Sequence, residues 1–322
     1  HAFSRFLALL ISERDRLLEI FNQLVTELGR QLPDLGQKLA VDSKAIRSHG
    51  RPVGDQGRQQ GQDRRRDTDA DWGSKSYRGK RKDGSGWEKV IRWFGYKLHL
   101  LVDSVHELPL SFKLTKASAS DSPELLTLVE ELAEHHPELA HRASELSADK
   151  GYDSRTNNQR LYQEHGIVPV IDKRKLWQDG EETRSLFPDR LDRFVYDEEG
   201  GVHCICPVTG EVRELFFCGF EQRRGSLKYR CPAAASGFEC HGRAECEAVA
   251  AVGAYGRVIR VPLALDPRIF TPIARHTRKW KKSYQRRTAV ERVNARLDRV
   301  LGFEEHYIRG QQKMETRVTL AL

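Results

Sequence analysis

No apolar run in the 322 residues approaches the roughly 20 residues that a helix needs to cross a bilayer. The opening stretch HAFSRFLALLISERDR is too short in its apolar part, and too soon charged, for a secretory signal. The default location is therefore cytoplasmic, with no membrane partner. Cysteine is missing from everything before Cys204 and after Cys246, and six lie between. A disulfide scaffold spread along the chain is excluded, and clustering of this kind favours a metal over disulfides. Aliphatic residues are scarce between positions 46 and 92, which rules out a conventional core element there. The hydrophobic share of 39% is small but sufficient for real cores, while 31% of residues are charged. The formal net charge of +8 points to an anionic partner and away from an apolar one. The chain opens on His and closes on VTLAL, so both ends are expected to be cut from a longer polypeptide.

Periodicity divides the rest. Leu17, Phe21, Leu24 and Leu28 recur at helical spacing, and Pro33 ends the pattern, giving an N-terminal helical segment over 1–36. Lys38 to Ala45 reads as a short strand carrying Asp42. Residues 46–92 read as a basic flexible loop, in which Arg64, Arg65 and Arg66, Lys80, Arg81 and Lys82 and the interspersed Trp72, Tyr77 and Trp87 suit a DNA backbone; the alternative is a solvated insertion with no partner. Phe94–Val102 and Leu108–Thr115 form a hairpin across a polar turn. Asp121 is expected to N-cap a helix that runs to about His135, with Pro123 in the first turn and Glu124 at capping-box spacing. Glu145–Ala148 is a strand closed by Asp149, residues 154–165 are helical, and 166–171 form a buried strand. The order predicts an α/β fold with a mixed sheet flanked by helices. Residues 173–261 interrupt it as an inserted, β-rich cysteine module. From Thr277 to about Val300 a single long helix is expected.

That last helix is dense in Lys and Arg, including Lys281, Lys282 and Arg286. At about 100° per residue it places Tyr284, Arg287 and Glu291 on one face. Asp42, Asp149 and Glu291 thus come from three separate elements. Carboxylates converging in this way suit a pair of Mg²⁺ or Mn²⁺ ions bridging a phosphate ester, because Mg²⁺ takes few protein carboxylates and fills its shell with water and substrate oxygens. Arg287 could grip the phosphate, and Tyr284 could stack on or hydrogen-bond a distorted nucleotide.

With these residues in view, the chain resembles the DDE transposases of bacterial insertion sequences. Asp42 in AVDSKAIRS matches the Asp of that family's first strand, and Asp149 in ADKGYDS matches the Asp that ends its fourth. Tyr284, Arg287 and Glu291 fit the Tyr-x2-Arg-x3-Glu-x6-Lys signature of one large group, but position 298 is Asp where the signature has Lys. GYKLHLLVD resembles the family's second strand, and His99 within it is read as a strand residue without a metal role. The resemblance covers roughly 36–172 and 262–310. It implies an RNase H-like core, with residues 37–172 as the first part and 262–322 as the second. It further implies divalent-metal-dependent cleavage of double-stranded DNA at element ends, strand transfer into target DNA, and a homodimer or larger assembly on the bacterial nucleoid. No small-molecule substrate is expected. Two alternatives stay open: an RNase H-like metal-dependent nuclease without strand transfer, and a catalytically inactive DNA-binding remnant.

The cysteine module offers Cys231, Cys240 and Cys246, with Cys204 or Cys206, as four thiolates for a structural Zn²⁺; His203 and His241 are spare candidates. Related transposases carry a similar cysteine-bearing insertion. Cys204-x-Cys206 is not the C-x2-C knuckle of a zinc ribbon, so the alternative, reduced cysteines packing a small β core, also stays open.

Overall fold

The computed structural model describes residues 2–50, 66–187, 193–249, 253 and 255–322. In chain order its elements are α1 (Ala2–Ser12), α2 (Arg14–Gln31), β1 (Lys38–Arg47), β2 (Asp71–Lys80), β3 (Gly86–Asp103), β4 (Leu108–Lys116), α3 (Ser122–His135), α4 (Pro137–Arg142), β5 (Glu145–Ala148), α5 (Arg155–Gln163) and β6 (Val168–Ile171). There follow β7 (Thr183–Ser185), β8 (Phe194–Asp197), β9 (Val202–Ile205), β10 (Val212–Glu214), β11 (Phe216–Glu221), β12 (Ser226–Arg230), α6 (Pro232–Ser236), α7 (Arg243–Val249), β13 (Val258–Pro262), α8 (Arg278–Tyr284), α9 (Thr288–Leu301) and α10 (Gln311–Ala321). They form two compact units, His1–Ser144 with Arg286–Leu322, and Glu145–Gln285.

In the first unit β1 runs antiparallel to β3, with Asp42 opposite Leu100, and β4 pairs with the other side of β3. Because strand side chains alternate, Ala40, Asp42, Lys44 and Ile46 share a face with Tyr96, Leu98, Leu100 and Val102. Helix α9 covers that face through Ala289, Val290, Val293 and Leu297, the stripe an amphipathic helix turns inward. The aliphatic members make a dry core, and Asp42 and Lys44 are the charges set into it. β1 approaches β3 closely at Gly95; a Cβ there would lie 2.1 Å from the Ile46 carbonyl oxygen.

The opposite face of β3 carries His99, fully buried, with Nε2 3.0 Å from the Thr115 hydroxyl. Burial disfavours the imidazolium and pushes its pKa down to about 4. Beside it Lys97 donates to Asp121 at 2.9 Å. The capping expectation for Asp121 fails at this point: its side chain makes no cap bond to α3 and serves instead as the counter-charge of Lys97.

Asp67 ties the start of the β2 arm to this body. It is buried, and accepts from the hydroxyls of Tyr96 and Ser48 and from the Gly310 amide. Burial alone would raise its pKa, but the bonds from Ser48, Gly310, Tyr96 and Ala70 together hold it below the usual carboxylate value.

In the second unit β5 and β6 pair in parallel around α5. Such pairing requires a crossover, and the α5 segment supplies it. Ser154 caps α5 through the Asn157 amide. Helix α8 packs on the pair through Trp280, which meets Val170 and Ile273, and Ser283 donates to Glu145 at 2.8 Å. The remainder holds two small antiparallel sheets, ordered β10-β9-β8-β7 and β11-β12-β13, around a core that includes Trp177, Tyr196, Tyr229 and Phe270. The antiparallel strands of one unit and the parallel pair of the other are the two kinds of pairing that an RNase H-like α/β fold combines. Among the described residues no helix is long and apolar enough to cross a membrane.

Three expectations change. The N-terminal helical segment is two helices, broken at Glu13. The stretch read as loop to residue 92 is strand from Asp71 onward. The long helix from Thr277 is interrupted by a 3-10 turn at Gln285–Arg287, so α8 falls in one unit and α9 in the other.

Candidate functional site

Asp42 is 8% exposed on the α9-facing side of β1. Its Oδ1 accepts the amide of Ser43 at 2.8 Å, and its Oδ2 accepts from Arg287 Nη1 at 3.0 Å. The same Arg287 nitrogen lies 2.8 Å from Glu291 Oε1. Arg287 and Glu291 are four residues apart where the 3-10 turn passes into α9, so their side chains stack on one flank of the helix. Asp42 is 245 positions away from Arg287 in sequence. Two carboxylates brought together from such distance repel each other, and a cation shared between them relieves the repulsion. Arg287 is that cation here. The Asp42 side chain is 11% exposed and Glu291's 52%, so one carboxylate is enclosed and the other open to water.

Two positions along β1, Lys44 centres a second triad of the same charges, with the cation now on the strand. Its Nζ donates to Asp298 at 2.6 Å and to Glu304 at 2.8 Å. Asp298 is the residue that departs from the Tyr-x2-Arg-x3-Glu-x6-Lys signature. Its place in the structure accounts for the departure: Lys44 supplies a cation from β1, and Asp298 on α9 answers it. A Lys at 298 would set two ammonium groups against each other. Sequence reasoning missed Lys44; the signal was its i+2 position from Asp42 on an otherwise apolar strand face.

Asp149 belongs to the second unit. Its Oδ1 accepts the Gly151 amide at 2.7 Å and so caps the short 3-10 turn Lys150–Tyr152 that follows β5. Tyr284 ends α8, stacked on Trp280 with ring centroids 5.0 Å apart and planes 10° apart. Lys281 and Lys282 are exposed on α8, Arg286 is half-buried, and Arg66 is exposed; Arg64 and Arg65 lie outside the described residues. The basic charge of α9 is partly spent inside the protein, because Arg292 and Arg296 both clasp Glu107, the turn residue with φ of +57°.

In the cysteine module Cys206 accepts hydrogen bonds from the Thr209 hydroxyl and from the amides of Thr209 and Val208, which hold its thiol below the usual range. Cys204 is pushed up to about 11, first by burial and then by the nearby thiols of Cys231, Cys240 and Cys246. Gly242 links two of the group: a Cβ there would stand 3.1 Å from the Cys206 sulfur, and its carbonyl accepts the Cys246 amide. Cys218 is exposed on β11. Among the described residues, no group of three or more His, Cys, Asp and Glu side chains is already arranged to hold a metal ion.

The carboxylates nevertheless fit a hard cation in kind. Asp42 and Glu291 are oxygen donors focused on one positive charge, and the guanidinium stands where a divalent ion would be attracted. The family model described as Transposase DDE domain matches residues 34–212, more than half of the chain. The match takes in Asp42 and Asp149 and stops short of Glu291. No curated protein and no solved structure gave a match.

Proposed function

Because the chain belongs to the family of the transposase DDE domain, we propose that it cuts double-stranded DNA at the ends of an insertion sequence and joins the freed ends to target DNA. The family as a whole works with divalent metal on DNA. In this chain Asp42, Asp149 and Glu291 would hold Mg²⁺ or Mn²⁺, which when bound lowers the pKa of the attacking water or 3′-hydroxyl and stabilises the leaving oxygen. One observation supports the reading above the others: Asp42 and Glu291, from the first strand and a late helix, meet at Arg287.

The residues divide the work. Asp42 is rigid, held by the β1–β3 ladder and the Ser43 amide. Glu291, on the rim, can turn between Arg287 and a metal. Arg287 keeps the carboxylates together without metal, and once released its planar fork suits a phosphate oxygen. Tyr284, Arg286, Lys281 and Lys282 then engage the DNA, and Arg64, Arg65 and Arg66 are proposed to contact its backbone. A homodimer or larger assembly would bring two element ends together, in the cytoplasm at the nucleoid.

The cysteine module is proposed to bind structural Zn²⁺ through Cys231, Cys240 and Cys246 with Cys204 or Cys206. Supporting this, burial and the neighbouring thiols raise the pKa of Cys204 and Cys246, a penalty on the thiolate that a bound cation relieves, while three donors lower that of Cys206. Metal analysis of purified protein tests it; about one zinc per chain, lost in Cys231→Ser, is expected.

The test of the main reading is cleavage and strand transfer on a duplex carrying an element end. Asp42→Asn, Asp149→Asn and Glu291→Gln should each stop both reactions and spare DNA binding. Cleavage retained in any one removes that residue from the site. Cleavage with no joining of a pre-cut end would favour a nuclease.

A further inference from the structure

Much of the segment expected to be loop is an ordered, exposed part of the first unit. β2 pairs with Gly86–Gly95 of β3, from Asp71 opposite Gly95 to Lys80 opposite Gly86. β1 and β4 pair with β3 only from Gly95 and Tyr96 onward. Beyond that line two strands continue alone, and every residue from Gly86 to Arg92 is exposed. At about 3.3 Å per residue this free ribbon extends roughly 20 Å.

A two-stranded ribbon with both faces in water is marginal by itself, and two devices hold this one straight. The Trp93 ring lies over Gly73, and Trp87 over Gly79; a Cβ at either glycine would fall 2.5–2.6 Å from the indole. The tip is closed by Arg81 N–H to the Ser85 carbonyl at 2.7 Å and by Ser85 bonded to Asp83, with Gly84 at φ +83°. Asp83, an acid at the tip, is thereby engaged within the turn, while Lys80, Arg81 and Lys82 are exposed.

The cross-strand pairs sort the side chains. One face presents Lys75 beside Ile91, Tyr77 beside Lys89, and Trp87 over Gly79. Lys75 Nζ stands 6.0 Å from the Tyr77 ring centroid. Tyr77 is 42% and Trp87 39% exposed, large for aromatics with no role in a core. From Trp72 to Arg92 the sequence has seven Lys and Arg against two Asp and Glu. Cations alternating with flat rings on a rigid ribbon complement a polyanion with a groove. A protein partner of ordinary surface would not call for such one-signed charge, and the same charges oppose edge-to-edge pairing with a second copy.

We propose that the β2–β3 ribbon is a DNA-docking arm that lies in the major groove of duplex DNA. It puts Lys80, Arg81 and Lys82 on the phosphates and its Lys75–Tyr77–Lys89–Trp87 face against the base edges. A two-stranded ribbon is of a size that the major groove, about 12 Å wide, admits. The proposal deepens the DNA reading above, because it assigns a role to an element that makes no contribution to the carboxylate site.

The test uses the full chain and a duplex of arbitrary sequence, without divalent metal. Lys80→Ala/Arg81→Ala/Lys82→Ala should weaken binding by at least about tenfold near physiological salt and flatten the slope of log affinity against log salt by about three. Dimethyl sulfate should find guanine N7 protected by the parent protein and unprotected with Lys75→Ala/Lys89→Ala. All these side chains are exposed, so circular dichroism should be unchanged. Unaltered affinity and slope, or a protein that protects no N7, overturns the proposal. So does a change in sedimentation with DNA binding intact, which would make the ribbon a contact between copies. The two readings fail separately: ribbon variants that still bind and cut refute the arm alone, while a parent that binds through the ribbon but never cuts refutes the catalytic reading alone.

Discussion

Two charged triads sit side by side on β1, each built of two carboxylates around one cation. Around Lys44 the cation is the buried member, 9% exposed, and the carboxylates of Asp298 and Glu304 reach in from outside. Around Arg287 the buried member is a carboxylate, Asp42, and the cation arrives from the helix. Equal charge counts are therefore arranged in opposite ways. A buried ammonium tethered to a strand cannot leave, so the Lys44 triad is a clasp between β1 and the chain around α9. On the proposed reading, the Arg287 guanidinium gives way to a divalent ion that takes its place between the two carboxylates. The difference lies in which partner the fold immobilises.

The sharpest way to break the comparison is to delete one carboxylate from each triad. If Asp42 holds the metal as proposed, Asp42→Ala should lower DNA cleavage by more than about 10³-fold. Asp298→Asn should leave cleavage within a few-fold of the parent at a temperature where both are folded. Comparable losses in both variants would erase the distinction.

Stability should rank the triads the other way. Asp298→Ala leaves Lys44 buried with Glu304 alone and should cost about 1–3 kcal/mol in urea unfolding, less than for a wholly buried pair because both carboxylates touch water. Asp298→Lys, which restores the signature, should cost more. Lys44→Met combined with Asp298→Ala should recover part of the loss, and no recovery would show that Asp298 acts elsewhere.

Metal affinity sharpens the contrast further. If Arg287 competes with a divalent ion, Arg287→Ala should tighten Mn²⁺ binding several-fold by calorimetry while slowing cleavage. Lys44→Met should leave Mn²⁺ binding unchanged. Weaker Mn²⁺ binding in Arg287→Ala would instead make the guanidinium an organiser of the site.

A further contrast concerns pH, on the far side of the same sheet. With the folded His99 pKa near 4, the unfolded chain takes up a proton below about pH 6.5 that the folded chain refuses. Stability should therefore fall as pH drops from 6.5 towards 4 and level off below. His99→Gln should remove about one proton's worth of that slope in urea titrations. Asp67 acts in a lower window: its depressed pKa contributes stability above the ordinary 3.8 that is lost as pH falls through the folded value.

Much of the fold was readable from residue order. The strand holding Asp42, the hairpin after it, the β5–α5–β6 crossover and the β-rich cysteine segment all have local signatures, and Ser154 and Thr277 cap helices as their types suggest. The ribbon was not readable, because Gly, Ser and Lys alternating with little aliphatic content lack a strand's hydrophobic signal. Its order comes from cross-strand pairing and from Trp rings covering glycines. The break at Gln285–Arg287 was hidden because the helical period continues across it. Asp121 had every sequence mark of a cap, yet Lys97, 24 positions earlier, holds it. The same limit applies at the candidate site. Residue types and spacing drew attention to Asp42, Arg287 and Glu291, whereas the partnership of Lys44 with Asp298 depends on a strand and a helix 254 positions apart.

A crystal structure of the full chain soaked in Mn²⁺, read by anomalous scattering, would weigh the account at its root. Manganese bound by Asp42 and Glu291, with Arg287 turned away and the Lys44 clasp intact, is the expected result. Both carboxylates still on Arg287 at a Mn²⁺ concentration that supports cleavage, with the metal elsewhere, would contradict it.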